Sequence, residues 1–210
     1  MKKSYKKSFR MVAVLCLLQF LSLFVLGAPN QLVVTESERS MDIERYSDQP
    51  LQLVDLKIGG QELTSKITTK SIHGDVQTDN ITFTQDDNWF RTLLITFRNV
   101  SDRTLYGTTA YVHFKLPESR MRYSLTFLTR TPQSKGFVDP GGEVAFYVSH
   151  RSWNLTAKML AEAGVDPNLA SATFFVDQVR FSDTLMWQRG QMLRRDADNP
   201  YKWSFISDRR

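Results

Sequence analysis

The sequence predicts an all-β fold: a single antiparallel β-sandwich with one short crossover helix and a C-terminal extension. Three observations carry this. At least seven short segments alternate apolar and polar residues with period two, which means one face buried and one solvated. Gly, Pro and Asn clusters separate them at short intervals. One segment alone combines a helical apolar face with a cap and a stop. Length agrees, since 210 residues with 41% hydrophobic content can build one large core, and ten Gly and seven Pro are too few for a long linker.

Residues 1–27 read as a signal peptide. Met1 to Arg10 is cationic, Met11 to Leu26 is apolar except for Gln19 and Ser22, and the small residues Gly27 and Ala28 follow. An uncleaved anchor is the alternative, although sixteen residues at about 1.5 Å each fall short of a hydrocarbon core of about 30 Å. The single cysteine, Cys16, lies in that apolar run, so a cleaved chain has no disulfide and no thiolate. Residues 28–49 are polar and show no periodic face, so they are expected to form a flexible N-terminal arm.

The sandwich is expected over residues 50–182. Leu51 to Ile58 reads as a strand whose inward parity shifts at Val54, the mark of a bulge, and Gly59-Gly60 closes it. Leu63 to Ile72, Ile81 to Thr84 and Trp89 to Arg98 follow, the last with Leu93, Ile95 and Phe97 on one face. Asn99 to Arg103 is a turn cluster, and Thr104 to Leu116 resumes the alternation with Ala110, Val112, Phe114 and Leu116 inward, so these two strands are expected to pair as a hairpin. Ser124 to Thr129, Glu143 to Ser149 (Val144, Phe146 and Val148 inward) and Ala172 to Phe181 complete the strands. The predicted helix starts at Asn154 as cap, buries Leu155, Met159, Leu160 and Ala163, and stops at Gly164. Residues 183–210 are expected to pack on the sandwich as a C-terminal segment.

Two stretches resemble known proteins. Leu94-Ile-Thr-Phe-Arg-Asn-Val-Ser-Asp-Arg-Thr-Leu-Tyr-Gly107, Val112-His-Phe-Lys-Leu116 and Pro140-Gly-Gly-Glu143 are similar to the core hairpin of exported bacterial immunoglobulin-like domains, the FxLYD-type family among them, although the Phe-x-Leu-Tyr-Asp signature itself is absent. The resemblance implies an immunoglobulin-like β-sandwich used for adhesion, anchoring or ligand presentation. Val179 to Gly190, with Arg194-Arg-Asp196 and Asn199-Pro-Tyr-Lys-Trp203, resembles a closing segment of uncharacterised exported bacterial proteins, which implies a compartment but no activity.

The formal charge of +5 comes wholly from Lys2, Lys3, Lys6, Lys7 and Arg10. From Ala28 onward 22 basic residues face 22 acidic ones. That balance argues against nucleic acid and anionic lipid as partners. A membrane enters only through the N-terminal segment if it is retained.

Catalytic chemistry finds little support. No Gly-x-Ser-x-Gly elbow is present, and Ser149-His150 are strand neighbours whose side chains point to opposite faces. His73, His113 and His150 share no ligand spacing, and His113 alternates with Tyr111 on a solvated face. Asp196-Ala-Asp198-Asn199 offers oxygens at alternating loop positions, so calcium is a possible cofactor there, with Asp177 or Asp183 completing the shell. The alternative is a turn in which Arg194 and Arg195 pair with the carboxylates. Trp89, Trp153, Trp187, Tyr201 and Trp203 are the candidate ligand-binding residues, because an exposed row of rings stacks on sugar faces; the alternative is core filling. Asn80, Asn99 and Asn154 each begin an Asn-x-Ser/Thr triplet, read otherwise as turn and cap residues. The reading is an exported, non-catalytic binding or scaffolding module with a protein or glycan partner. The alternatives are a carbohydrate-binding module with calcium and, behind it, a hydrolase.

Overall fold

The computed structural model describes residues 36–86, 88–115, 122–126, 128–130, 136–162, 164 and 170–206. The expected signal peptide over residues 1–27, with Cys16, and the expected inward residues Leu116 and Ala163 lie outside them. Among the described residues fourteen strands form two sheets, with one α-helix. The smaller sheet has the order β3-β2-β6-β10-β9, from Gln61–Glu62, Leu51–Ile58, Leu94–Asn99, Glu143–Tyr147 and Leu128–Arg130. The larger holds nine strands: β1 (Ser37–Tyr46), β4 (Thr68–His73), β5 (Val76–Gln85), β7 (Gly107–Lys115), β8 (Arg122–Thr126), β11 (Ser171–Arg180), β12 (Leu185–Gln188), β13 (Gln191–Arg195) and β14 (Trp203–Phe205). Strand β11 organises it. One edge of β11 pairs with β7, while the other pairs first with β1 and then with β12.

The fold is thus the expected all-β sandwich with one short helix, and the parallel pairing of β1 with β11 makes the larger sheet mixed. Apolar residues face inward where the alternation placed them. Leu93, Ile95, Phe97, Ala110, Val112, Val144, Phe146 and Val148 are all buried. Rings lock the two layers together: Phe97, Phe146 and Phe174 sit with centroids 5.6 to 5.8 Å apart, and Trp89 meets Phe83 and Phe90 at 5.0 and 4.0 Å. The bulge in β2 falls where the parity predicted it, with the register shifting between Leu53 and Asp55.

Several expectations are corrected. Residues 37–46 of the presumed arm form β1, an interior strand hydrogen-bonded to both β5 and β11. Its alternation is present, with Arg39, Met41 and Ile43 buried, but polar residues occupy most other positions and hide it. On the opposite face Asp42 accepts from Lys70 Nζ and Asn80 Nδ2, each at 2.7 Å, so those polar groups are paired across strands.

The expected hairpin between β6 and β7 does not form, since β6 lies in the smaller sheet and β7 in the larger. The reason is Asn99. Its buried side chain donates to the carbonyls of Arg103 (2.7 Å) and Val138 (3.2 Å), and its backbone exchanges bonds with Gly141 and Gly142. These contacts tie the end of β6 to the 138–142 loop, and the chain crosses to the other sheet instead of folding back. The expected strand Ser124–Thr129 likewise divides into β8 in one sheet and β9 in the other.

Helix α1 spans His150–Glu162, so its cap lies five residues before the predicted one. Ser149 replaces Asn154 as cap, its Oγ accepting from Ser152 N at 3.1 Å. That shift turns the helix, so Trp153, Thr156 and Leu160 are buried while Leu155 and Met159 are exposed. The segment after residue 182 contributes strands of its own: β12 hydrogen-bonds to β11, β13 to β12 and β14 to β13, which prolongs the larger sheet.

Candidate functional site

The five aromatic residues singled out by sequence do not form an exposed row. Trp89, Trp153 and Trp187 are core residues: Trp153 stacks on Phe90 at 5.9 Å, and Trp187 packs edge-on against Tyr46 at 5.6 Å. Trp203 is half-buried beneath the Arg195 guanidinium, 4.9 Å from its ring centre. Only Tyr201, at 93% exposure, stands in solvent.

The proposed calcium ligands are turn residues. Asp196 Oδ1 accepts from the backbone amides of Asp198 (2.9 Å) and Asn199 (3.2 Å), and Asn199 Oδ1 accepts from Tyr201 N at 3.1 Å. Asp196 Oδ2 lies 3.7 Å from Lys202 Nζ, and Asp177 is engaged elsewhere by Arg189. Among the described residues no group of three or more His, Cys, Asp or Glu side chains could hold a metal ion. The Asp198 and Asn199 amides hold the Asp196 carboxyl below its ordinary value of 3.8. Because the folded value is depressed, this support is complete above 3.8 and is lost as pH falls through the folded value. In an NMR titration the amide protons of Asp198 and Asn199 should therefore move together with a midpoint below 3.8, and Asp196→Ala should abolish the step. A midpoint at or above 3.8 would contradict the turn.

The histidines remain apart. His150 Nδ1 lies 2.9 Å from Arg91 Nη2 at the start of α1, His73 is exposed at the end of β4, and His113 belongs to β7. Ser149 is committed to its cap and donates to Ser152 Oγ at 2.8 Å.

A different place draws side chains together. On the outer face of the larger sheet, β11 changes partner: β1 accompanies it as far as Phe175, and β12 takes over at Gln178. Between them stands Asp177, the extra residue of a bulge against β7, where Val176 faces Ala110 and Gln178 faces Thr109. A bulge bends its strand and re-aims a side chain. Here it presents Asp177, 6% exposed, to the turn joining β12 and β13.

That turn is a two-residue loop, Arg189-Gly190, closed by the Gln188–Gln191 pair. Both residues have positive φ, 44° and 82°, the geometry of a type I′ turn. Gly190 is required, since a Cβ there would lie 2.9 Å from Tyr46 Cδ1. Arginine at the first position is costly, because a left-handed backbone disfavours a non-Gly residue by roughly 1–2 kcal/mol. Its side chain offsets that cost. Nε donates to Asp177 Oδ1 at 2.5 Å, and the guanidinium sits 4.8 Å over the Phe175 ring.

Tyr111 and His113, two residues apart on β7, stand on the same outer face. Their rings lie 6.5 Å apart and 31° from parallel, forming a shelf beside the buried Phe175, which His113 meets edge-on at 4.6 Å. Together Tyr111, His113, Asp177, Gln188 and Arg189 line an open groove of about 480 Å³, within the range of small-ligand sites. Burial raises the pKa of nearby Tyr46, and the Arg189 charge opposes that rise.

Sequence reading placed Tyr111 and His113 on a solvated face but assigned them no role. It missed Phe175, Gln188 and Arg189 altogether. The one available signal was Arg-Gly at a hairpin position where Asn-Gly is the usual choice. No protein-family model, curated protein or solved structure matches the chain.

Proposed function

We propose that this chain is an exported, non-catalytic β-sandwich that acts by binding, with the outer face of its larger sheet around Asp177 as the contact surface. One observation carries the reading: the groove gathers side chains from β7, β11 and the β12–β13 turn on a solvent-facing sheet surface. Its one carboxylate is engaged in a way that suits recognition better than catalysis, since Asp177 Oδ1 accepts from Arg189 Nε. A general base needs a free lone pair within reach of substrate. Export rests on the cationic and then apolar run of residues 1–26.

Hydrogen–deuterium exchange of the full chain, with and without a cell-envelope fraction from its source, tests the surface. Slower exchange across residues 107–115 and 188–191 is the expected result. Protection confined to other surfaces, such as the exposed Leu155 and Met159 face of α1, or none at all, would overturn the assignment.

A further inference from the structure

We infer that the groove around Asp177 binds a neutral saccharide unit, its ring laid against Tyr111 and its hydroxyls bonded by Gln188 and the outer edge of Arg189. The inference rests on the binding reading above and names the ligand class for that same groove.

Charge is the first argument. The groove holds one carboxylate and one guanidinium, already paired through Nε and Oδ1. An anion would meet an arginine whose charge Asp177 already offsets, and a cation would meet the reverse. Strong recognition of either sign calls for uncompensated charge. An apolar ligand fares no better. It would strip water from the Gln188 amide, the Tyr111 hydroxyl and the Arg189 Nη groups without replacing their hydrogen bonds, and unpaired polar groups are costly to bury.

Those groups are the second argument. Among the described residues, the side-chain amide of Gln188 and the hydroxyl of Tyr111 have no hydrogen-bond partner, and Arg189 spends only Nε. The set offers donors and acceptors side by side. A sugar hydroxyl both donates and accepts, so it is the group such a set satisfies most completely. Arg189 is also held in place by Asp177 and Phe175, which reduces the ordering cost on binding.

The third argument is shape. The Tyr111 and His113 rings make a shelf at one side of the groove, and pyranose rings carry apolar C–H faces that suit an aromatic surface. A peptide added as an extra strand needs an open edge, whereas β11 is flanked on both sides here.

The test uses the full chain in mild detergent, with saturation-transfer NMR and calorimetry. The probes are neutral oligomers of glucose, xylose and N-acetylglucosamine, then oligogalacturonate and inorganic phosphate. At least one neutral oligosaccharide should bind. Tyr111→Ala should weaken it about tenfold, in line with loss of one ring contact. Gln188→Ala, a second variant at a half-buried strand end, should also weaken binding, with circular dichroism unchanged for both. Preference for oligogalacturonate or phosphate, binding indifferent to Tyr111→Ala, or no binding by any neutral oligomer would each overturn the inference. If the envelope fraction still protects residues 107–115 and 188–191 while no saccharide binds, the ligand class fails and the contact surface stands. If that protection is absent too, both fail.

Discussion

Replacing Trp89 with alanine should destabilise the protein by about 4 kcal/mol, the largest loss expected from any of the aromatic residues. Trp89 has no exposed surface, and its ring touches both Phe83 and Phe90. Phe90 in turn stacks on Trp153 of α1, so this ring chain fastens the helix to the sheets. The site cannot collapse easily, because Trp89 lies in a single 3-10 turn, Trp89–Thr92, whose carbonyl at Trp89 accepts from Thr92 Oγ1 at 2.8 Å. Denaturant unfolding of Trp89→Ala and Trp89→Phe measures this, with the phenylalanine variant losing the smaller amount. A loss below about 1 kcal/mol would mean that the ring is not core, and would reopen its role as a ligand platform.

Removing the charge of Arg45 should cost about 3 kcal/mol. Arg45 pairs with Asp79, a carboxylate at 1% exposure on the inward face of β5. Asp79 also accepts from Gln77 Nε2 at 2.6 Å and Thr69 Oγ1 at 3.1 Å. Arg45→Leu leaves those two neutral donors to hold a buried negative charge, and a buried charge without its counter-ion is far worse than no charge. Adding Asp79→Leu should therefore recover most of the loss. The double-mutant cycle separates the pair from the rest of the contact. If the double variant were as unstable as the sum of the two single ones, the pair would carry no coupling and the explanation would be wrong.

The pair also explains why β1 escapes detection in the sequence. An inward face reading Arg39, Met41, Ile43, Arg45 is half cationic, so its alternation does not register as apolar against polar. Only the strand on the other side of the bond, with Asp79 opposite Ile43, makes the position of Arg45 intelligible. Helix α1 teaches the same lesson at smaller scale. Leu155 and Met159 look like an inward face until Ser149 is recognised as the cap, and a start five residues earlier places Trp153 inward instead.

By itself the sequence determined the all-β class, the single helix, the inward residues of β6 and β10 and the bulge at Val54. Each of these depends on period or parity within a few residues, which local backbone geometry dictates. Tertiary structure alone decided which strands pair, because Asn99 sends the chain across to the second sheet through bonds to residues forty positions away in sequence. It also decided the groove. Tyr111, Asp177 and Arg189 are scattered along the chain and ordinary in composition; they meet only where β11 exchanges β1 for β12 and a bulge turns one carboxylate toward a strained turn.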